Sequence, residues 1–258
     1  MRFKRTTGLT ALQFNELVHR VSKRIIWTRE TGRPKSLTIA EATRAAIMYL
    51  RTNMTQELIG EFYGVGQRTI SRIVHTLTKV IGQVLSEFVP VLDDLADHAK
   101  TVVFVIDGTL LPSWSWAIEP RLWSGKHKTT GHSVMVICTI NGRLLYMSDP
   151  VTGNTHDAKL FDIIGLGEIL TKENSIGDTG FIGKGITTPY RTPPKGKLLD
   201  WQKEWNTSVS EYRWIVERTI AHIKTWRILH TDYRRPLKTF KETYDAVRAL
   251  HFFRLGFG

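Results

Sequence analysis

The chain holds one cysteine, Cys138, in 258 residues. A single thiol excludes an intramolecular disulfide and any Cys-based zinc site, which fits a reducing cytosol. Long hydrophobic runs are missing as well. The longest, such as Val102–Ile106, are strand-sized, whereas a bilayer span needs ~20 apolar residues. The basic start, Met1-Arg2-Phe3-Lys4-Arg5, is not followed by the apolar core of a secretion signal. Gly183-Lys184-Gly185 lacks the spacing of a phosphate-binding loop, so no nucleotide cofactor is implied. These absences predict a cytoplasmic protein without a membrane partner. Acidic residues are also in short supply, 24 against 36 Lys and Arg, for a net charge of +12. Such a surplus favours polyanions, nucleic acid above all. With hydrophobic residues at 41%, a packed core is expected rather than a disordered chain.

The charge is unevenly placed. Residues 1–80 carry 14 Lys/Arg against 5 Asp/Glu, while 81–100 contains Glu87, Asp93, Asp94 and Asp97. Apolar spacing predicts helices over residues 9–27, from Thr38 (with Glu41 as a capping box) to about Arg51, and from Thr55 to near Gly64. Between Gln56 and Ile73 the pattern fits a helix-turn-helix. Ile59 and Tyr63 face inward, Gly60 is small at the crossing, Gly64 makes a left-handed turn, and Val65, Ile70 and Ile73 fill the core. Gln67, Arg68, Thr69, Ser71 and Arg72 remain near the exposed start of the second helix, the part that enters a major groove. An ordinary helical hairpin is the alternative. Gly32-Arg33-Pro34-Lys35 reads as a basic linker or a minor-groove contact. Pro90 and the acidic run mark a boundary, giving a DNA-binding domain over 1–90, a linker over 91–100 and a second domain over 101–258.

That second domain is β-rich. Strands are expected at Val102–Ile106, at Ser133–Ile140 and Leu144–Val151 around the Asn141-Gly142 turn, and at Ser175–Gly177. Helices are expected over Asp157–Leu170, Ser208–Arg227 and Thr239–Phe253. The fold class is α+β: a helix-turn-helix bundle followed by an RNase H-like mixed sheet flanked by helices. Asp107 and Asp178 then fall at strand ends and Glu217 on a helix. Three carboxylates so placed can converge on two Mg²⁺ or Mn²⁺ ions, which stabilise the attacking and leaving oxygens of a phosphodiester displacement.

Four segments carry a resemblance: Phe104-Val105-Ile106-Asp107-Gly108-Thr109, Gly153 to Ala158, Gly177 to Gly183, and Val216-Glu217-Arg218-Thr219. Their order resembles that of the DDE transposases of bacterial insertion sequences, closest to the insertion-sequence-5 family and its Harbinger relatives. The resemblance covers nearly the whole chain. It implies a DNA transposase with Asp107, Asp178 and Glu217 as the metal-binding triad. Arg213 and Lys224, at i−4 and i+7 from Glu217, would hold phosphates of the transposon end. Ser210 stands where that signature has a Tyr, with Tyr212 two positions on. The implied partners are the transposon ends and target DNA, bound by a homodimer or larger assembly beside the nucleoid of a bacterial host. Alternatives are a decayed transposase that only binds DNA, or an RNase H-like nuclease of another kind. A surface Arg213–Glu217–Lys224 ion-pair ladder is also compatible with the spacing.

Other residues carry less. Asp157 reads as a helix-start residue, with Thr155 or itself as cap. Trp114, Trp116 and Trp123 either pack over their own domain or stack on a base, and Trp201, Trp205, Trp214 and Trp226 read as core or dimer contacts. Lys126, His127, Lys128, Lys184, Arg191, Lys195 and Lys197 are candidate phosphate contacts flanking the cleft.

Overall fold

A computed structural model describes residues 3–28, 34–114 and 119–256. Gly32, Arg33 and Trp116 lie outside the described residues. In chain order the helices are α1 (Phe3–Thr7), α2 (Ala11–Arg24), α3 (Ile39–Thr52), α4 (Gln56–Tyr63), α5 (Gln67–Val84), α6 (Leu92–His98), α7 (Asp157–Ile164), α8 (Asp200–Ile223) and α9 (Phe240–Gly256). The strands are β1 (Phe104–Pro112), β2 (Trp123–Ser124), β3 (Thr129–Thr139), β4 (Leu144–Met147), β5 (Val151–Thr152) and β6 (Ser175–Ile176). The chain divides into two compact units, residues 1–89 with 224–258, and residues 90–223.

In the first unit the helix starts are set locally. Thr38 Oγ1 accepts from the Glu41 amide at 3.2 Å while the Glu41 carboxylate accepts from the Thr38 amide at 2.8 Å, the capping box expected for α3. Thr10 and Gln13 make a second box at α2, and Thr55 caps α4. The long helix α5 buries Ile70, Ile73, Val74, Leu77, Val80 and Ile81 against α2, α3 and α9. Each fully buried aliphatic side chain contributes about 1.5–3 kcal/mol. The segment leading to α9 is tied into this unit by Trp226, fully buried, whose Nε1 donates to His251 Nδ1 at 3.3 Å. Tyr233 is buried too, its hydroxyl 2.9 Å from Thr243 Oγ1. Residues 224–258 therefore pack with the N-terminal helices rather than extending the β-rich body, as a division at residue 101 supposes.

The second unit is built on β1. It pairs antiparallel with β3 along its whole length, from Phe104 opposite Thr139 to Pro112 opposite Gly131. On its other side β6 runs parallel, with Phe104 opposite Ser175 and Val105 opposite Ile176. The far edge of β3 takes β4, β5 and β2. The antiparallel meander, the following helix α7 and a strand parallel to the first are the α+β arrangement anticipated from the sequence. Strand alternation sends Phe104, Ile106, Met135 and Ile137 into a core with Leu160 and Phe161 of α7. The opposite face is covered by α8 through Val209, Ile215, Val216, Thr219 and Ile220. Cys138 lies on that face and its thiol is pushed up to about 11 by burial, which makes it unreactive.

Several boundaries differ from expectation. β1 continues six residues beyond Ile106, because Leu110 and Leu111 are also buried and pairing with β3 persists. Asp107 thus sits inside a strand, not at its end. Gly165, at φ +80, stops α7 after eight residues, short of Leu170. α8 begins at Asp200 and ends at Ile223, so Lys224 falls in the turn beyond it and not on the helix with Arg213. The acidic stretch 91–100, expected as a linker, folds as α6 and buries Leu95 in the core of the second unit.

Candidate functional site

Two surfaces carry the residues singled out by sequence, one in each unit. In the first, α4 and α5 meet through a turn at Gly64, whose φ of +63 is left-handed and open only to residues that tolerate it. A Cβ on Gly60 would lie 2.4 Å from the Val65 carbonyl oxygen, so glycine alone lets the turn pass over α4. Ile59, Ile70 and Ile73 are buried and Tyr63 and Val65 half-buried. Gln67, Arg68, Ser71 and Arg72 are exposed along the first turns of α5, with Thr69 half-buried among them. An exposed polar face with two arginines on one helix is suited to base edges and phosphates.

The second surface gathers carboxylates. The parallel register of β1 and β6 ends with Val105 opposite Ile176, and Asp107 and Asp178 each stand two residues beyond that pair. Both follow Val105 and Ile176 by two, so alternation puts them on the face that α8 covers. Asp178 Oδ1 accepts from the Gly180 amide at 2.7 Å, which fixes it at the head of a short turn over Thr179–Phe181. Asp107 is pushed up to about 6, first by burial and then by the charges of Asp178 and Asp157. Lys126 and Arg213 act in the opposite direction.

Asp157 arrives from the other face of the sheet. It is the first residue of α7, with His156 as the N-cap, not Thr155 or Asp157 itself. Its side chain, only 14% exposed, pairs with Lys126 Nζ at 2.8 Å. The carboxylate occupies the room left by Gly108, where a Cβ would lie 2.0 Å from Asp157 Oδ1. Lys126 feels burial, which lowers its pKa, but Asp157, Asp107 and Asp178 together outweigh it and raise it.

Arg213 lies on the packing face of α8, four residues after Val209 and seven before Ile220, and so reaches Asp107. Glu217 sits one turn further on, 58% exposed, in a loose 3.7 Å pair with Arg213. It is not among the charges acting on Asp107. The structure thus brings together Asp107, Asp178, Asp157, Lys126 and Arg213 and leaves Glu217 at their margin. The part of Asp157 was hidden in the sequence because only the packing against Gly108 reveals it. The Gly108 beside Asp107 was the available signal.

A divalent cation fits this donor set in one respect. A carboxyl held near pKa 6 by neighbouring carboxylates gains from any positive charge brought beside it. Mg²⁺ needs few protein carboxylates and takes its other oxygens from phosphate and water. Among the described residues, no group of three Asp, Glu, His or Cys side chains is arranged to hold a metal by itself.

Residues 106–251 match the family described as DDE superfamily endonuclease, and residues 35–87 match the helix-turn-helix of DDE superfamily endonuclease. The chain belongs to the DDE superfamily endonucleases. It is 30% identical to the "Putative transposase for insertion sequence element IS112" of Streptomyces albus G over 224 residues, 86% of this chain and 83% of that protein. It is 24% identical to the "Probable transposase for insertion sequence element IS702" of Microchaete diplosiphon over 98% of this chain and 94% of that protein. No solved structure matches it. The endonuclease match spans β1 to α9 and so draws on both compact units.

Among the remaining candidates, Trp226 is core as expected, but Trp201, Trp205 and Trp214 are about half exposed. Trp205 Nε1 donates to the Thr188 carbonyl at 3.2 Å and Trp201 meets the Tyr190 ring edge-on at 5.2 Å, while Trp214 carries the Arg218 guanidinium 4.4 Å above its ring. Trp114 and Trp123 are exposed as well. Lys184 is paired with Asp162 at 2.5 Å and Lys126 with Asp157, so neither is an idle phosphate ligand. Among the described residues, no helix is long and apolar enough to cross a membrane.

Proposed function

We propose that the protein is a DNA transposase whose helix-turn-helix reads the terminal inverted repeats of its element and whose carboxylate site cuts and joins DNA strands. The observation that carries this reading is the gathering of Asp107, Asp178 and Asp157 in an endonuclease-family domain, with the Asp157 carboxylate packed against Gly108 and the charges of Asp178 and Asp157 both acting on Asp107. Asp107 on β1 and Asp178 just beyond β6 are the two carboxylates that would hold divalent cations, Mg²⁺ or Mn²⁺. Glu217, on the helix covering the same face, is the third. Two ions bound there would supply charge for the attacking and leaving oxygens of a phosphodiester.

The chain's own side chains have distinct parts. Lys126 neutralises Asp157 and so keeps that carboxylate in place behind Gly108. Arg213, with Lys126, offsets the charge on Asp107 and stands 3.7 Å from the Glu217 carboxylate. Its guanidinium would also take a phosphate oxygen beside Asp107. Ions held by Asp107, Asp178 and Glu217 would supply the charge to activate water and then a freed 3′-OH, so no covalent protein–DNA intermediate would be required. A transposon has two ends, and the working unit is at least a dimer assembled on DNA.

The test is nicking of a duplex carrying the sequences that flank the coding region, with Mg²⁺, Mn²⁺ or EDTA, by wild type and Asp178→Asn. Metal-dependent cuts leaving 3′-OH ends, lost in the variant while binding persists, are expected. Tight binding without cleavage by wild type would replace this reading with a decayed, DNA-binding protein. Cleavage surviving in Asp178→Asn would move the second ligand to Asp157.

A further inference from the structure

Beside the reading helix lies a groove of about 540 Å³, formed within the first unit by stretches far apart in sequence. One wall is a stripe of α5, Gln67, Ser71 and His75 at i, i+4 and i+8, next to the Arg68–Arg72 stripe. The opposite wall is the segment before α9, with Arg234, Arg235 and Lys238. No acidic residue lines the groove. Among the described residues, none of these three cations pairs with a carboxylate.

The two arginines are nonetheless held in place. Arg235 Nη1 donates to Thr243 Oγ1 at 3.1 Å, and Arg234 Nη2 donates to the backbone carbonyl of Asn53. Asn53 is itself fixed, as the left-handed cap of α3, with its side-chain amide donating to Thr231 Oγ1. Neutral acceptors position a guanidinium without cancelling its charge. The result is a preorganised positive wall facing a helix whose neighbouring stripe is exposed for base reading.

We propose that residues 234–238 form a second DNA-contact element, which grips the phosphodiester backbone at the rim of the major groove read by α5. The inference rests on the helix-turn-helix reading above and extends it: the C-terminal segment, not only the N-terminal helices, sets affinity. Phosphate contacts of this kind position a protein on duplex DNA without reporting sequence. Each one formed releases counterions and steepens the salt dependence of binding.

The experiment uses the full chain and two duplexes, one of flanking sequence and one scrambled, with binding followed by fluorescence anisotropy over a salt series. Arg234→Gln/Lys238→Gln is expected to weaken both duplexes by a common factor, about tenfold, and to reduce the log–log salt slope by about 2. Arg68→Gln/Arg72→Gln is expected to weaken the flanking duplex preferentially. Wild-type affinity and slope on both duplexes in a normally folded Arg234→Gln/Lys238→Gln protein would overturn the inference. If Arg68→Gln/Arg72→Gln still lost discrimination, the helix-turn-helix reading would stand without it. Failure of the wild type to bind either duplex would remove both. Because Arg234 anchors Asn53, Lys238→Gln alone serves if the double variant does not fold; a slope reduced by about 1 supports the inference and an unchanged slope overturns it.

Discussion

The two surfaces are electrostatically incomplete in opposite senses. Around α5 the exposed groups are Gln67, Arg68, Ser71 and Arg72, and the adjoining groove holds Arg234, Arg235 and Lys238 with no acid among its lining residues. Around β1 three carboxylates converge, and among the described residues Lys126 and Arg213 are the cations that lower the pKa of Asp107. The first carries an excess of positive charge and the second an excess of negative charge. On the reading proposed above, a duplex would complete the one through its phosphates and a divalent ion would complete the other. Binding at the first surface and chemistry at the second should therefore separate on mutation.

The sharpest break of that comparison is Asp107→Asn. The substitution removes the carboxylate proposed as the central metal ligand while leaving α5 untouched. Cleavage is expected to fall on the order of 10³-fold or more, several kcal/mol in the barrier. Affinity for the flanking duplex should stay within about twofold of wild type. A nicking assay run beside an anisotropy titration checks both. Equal losses in the two would mean that the surfaces are not independent.

The same substitution has a consequence for stability that runs the other way. Asp107 moves from 3.8 to about 6 on folding. A carboxyl raised by folding contributes fully below its unfolded pKa, and the contribution is lost as pH rises through the folded one. The loss develops between about pH 4 and 6 and reaches about 3 kcal/mol at most, from 1.36 kcal/mol per unit. Asparagine avoids it. Thermal unfolding without divalent ions should therefore show Asp107→Asn more stable than wild type at pH 8, with the two converging near pH 4. Mg²⁺ should raise the wild-type midpoint at pH 8 and leave the variant's nearly unchanged. A constant offset across pH would show that Asp107 is not the group responsible.

What the sequence made legible follows from the range of the interactions. The helix-turn-helix is written in neighbours. Thr38 and Glu41 are three apart, Gly60 and Val65 five, and the Ile70–Ile73 pair faces inward by its own period. The α+β class was legible too, since Asn141-Gly142 closes the β3–β4 turn with Gly142 at φ +80. The candidate site was legible only in part. Asp107 and Asp178 carry the hydrophobic run and glycines of their own segments, but their alignment depends on the pairing of β1 with β6, some seventy residues away. Asp157 meets Gly108 across forty-nine residues and gives no local sign of it. The reassignment of residues 224–258 is of the same kind. An apolar helix such as α9 does not disclose which body it packs on, and Trp226 and Tyr233 decide that by their partners.

Two glycines separate a fold requirement from a site requirement, and their alanine variants form the finest test. At Gly60 the obstacle to a Cβ is backbone, the Val65 carbonyl at 2.4 Å, which cannot move without opening the turn between α4 and α5. Gly60→Ala should cost about 1–3 kcal/mol and weaken DNA binding with it. At Gly108 the obstacle is the end of a side chain, Asp157 Oδ1 at 2.0 Å. That carboxylate can swing away, so Gly108→Ala should fold nearly as well as wild type and bind DNA normally. It must, however, break or distort the 2.8 Å pair between Asp157 and Lys126 beside Asp107. Cleavage should then fall roughly 10–100-fold from misplacement alone. Asp157→Ala in the same assay tells whether the carboxylate itself is needed. If it restores Gly108→Ala to wild-type rates, Asp157 only obstructs. If the double variant is as slow as Gly108→Ala, its position behind the strand is part of what aligns the site.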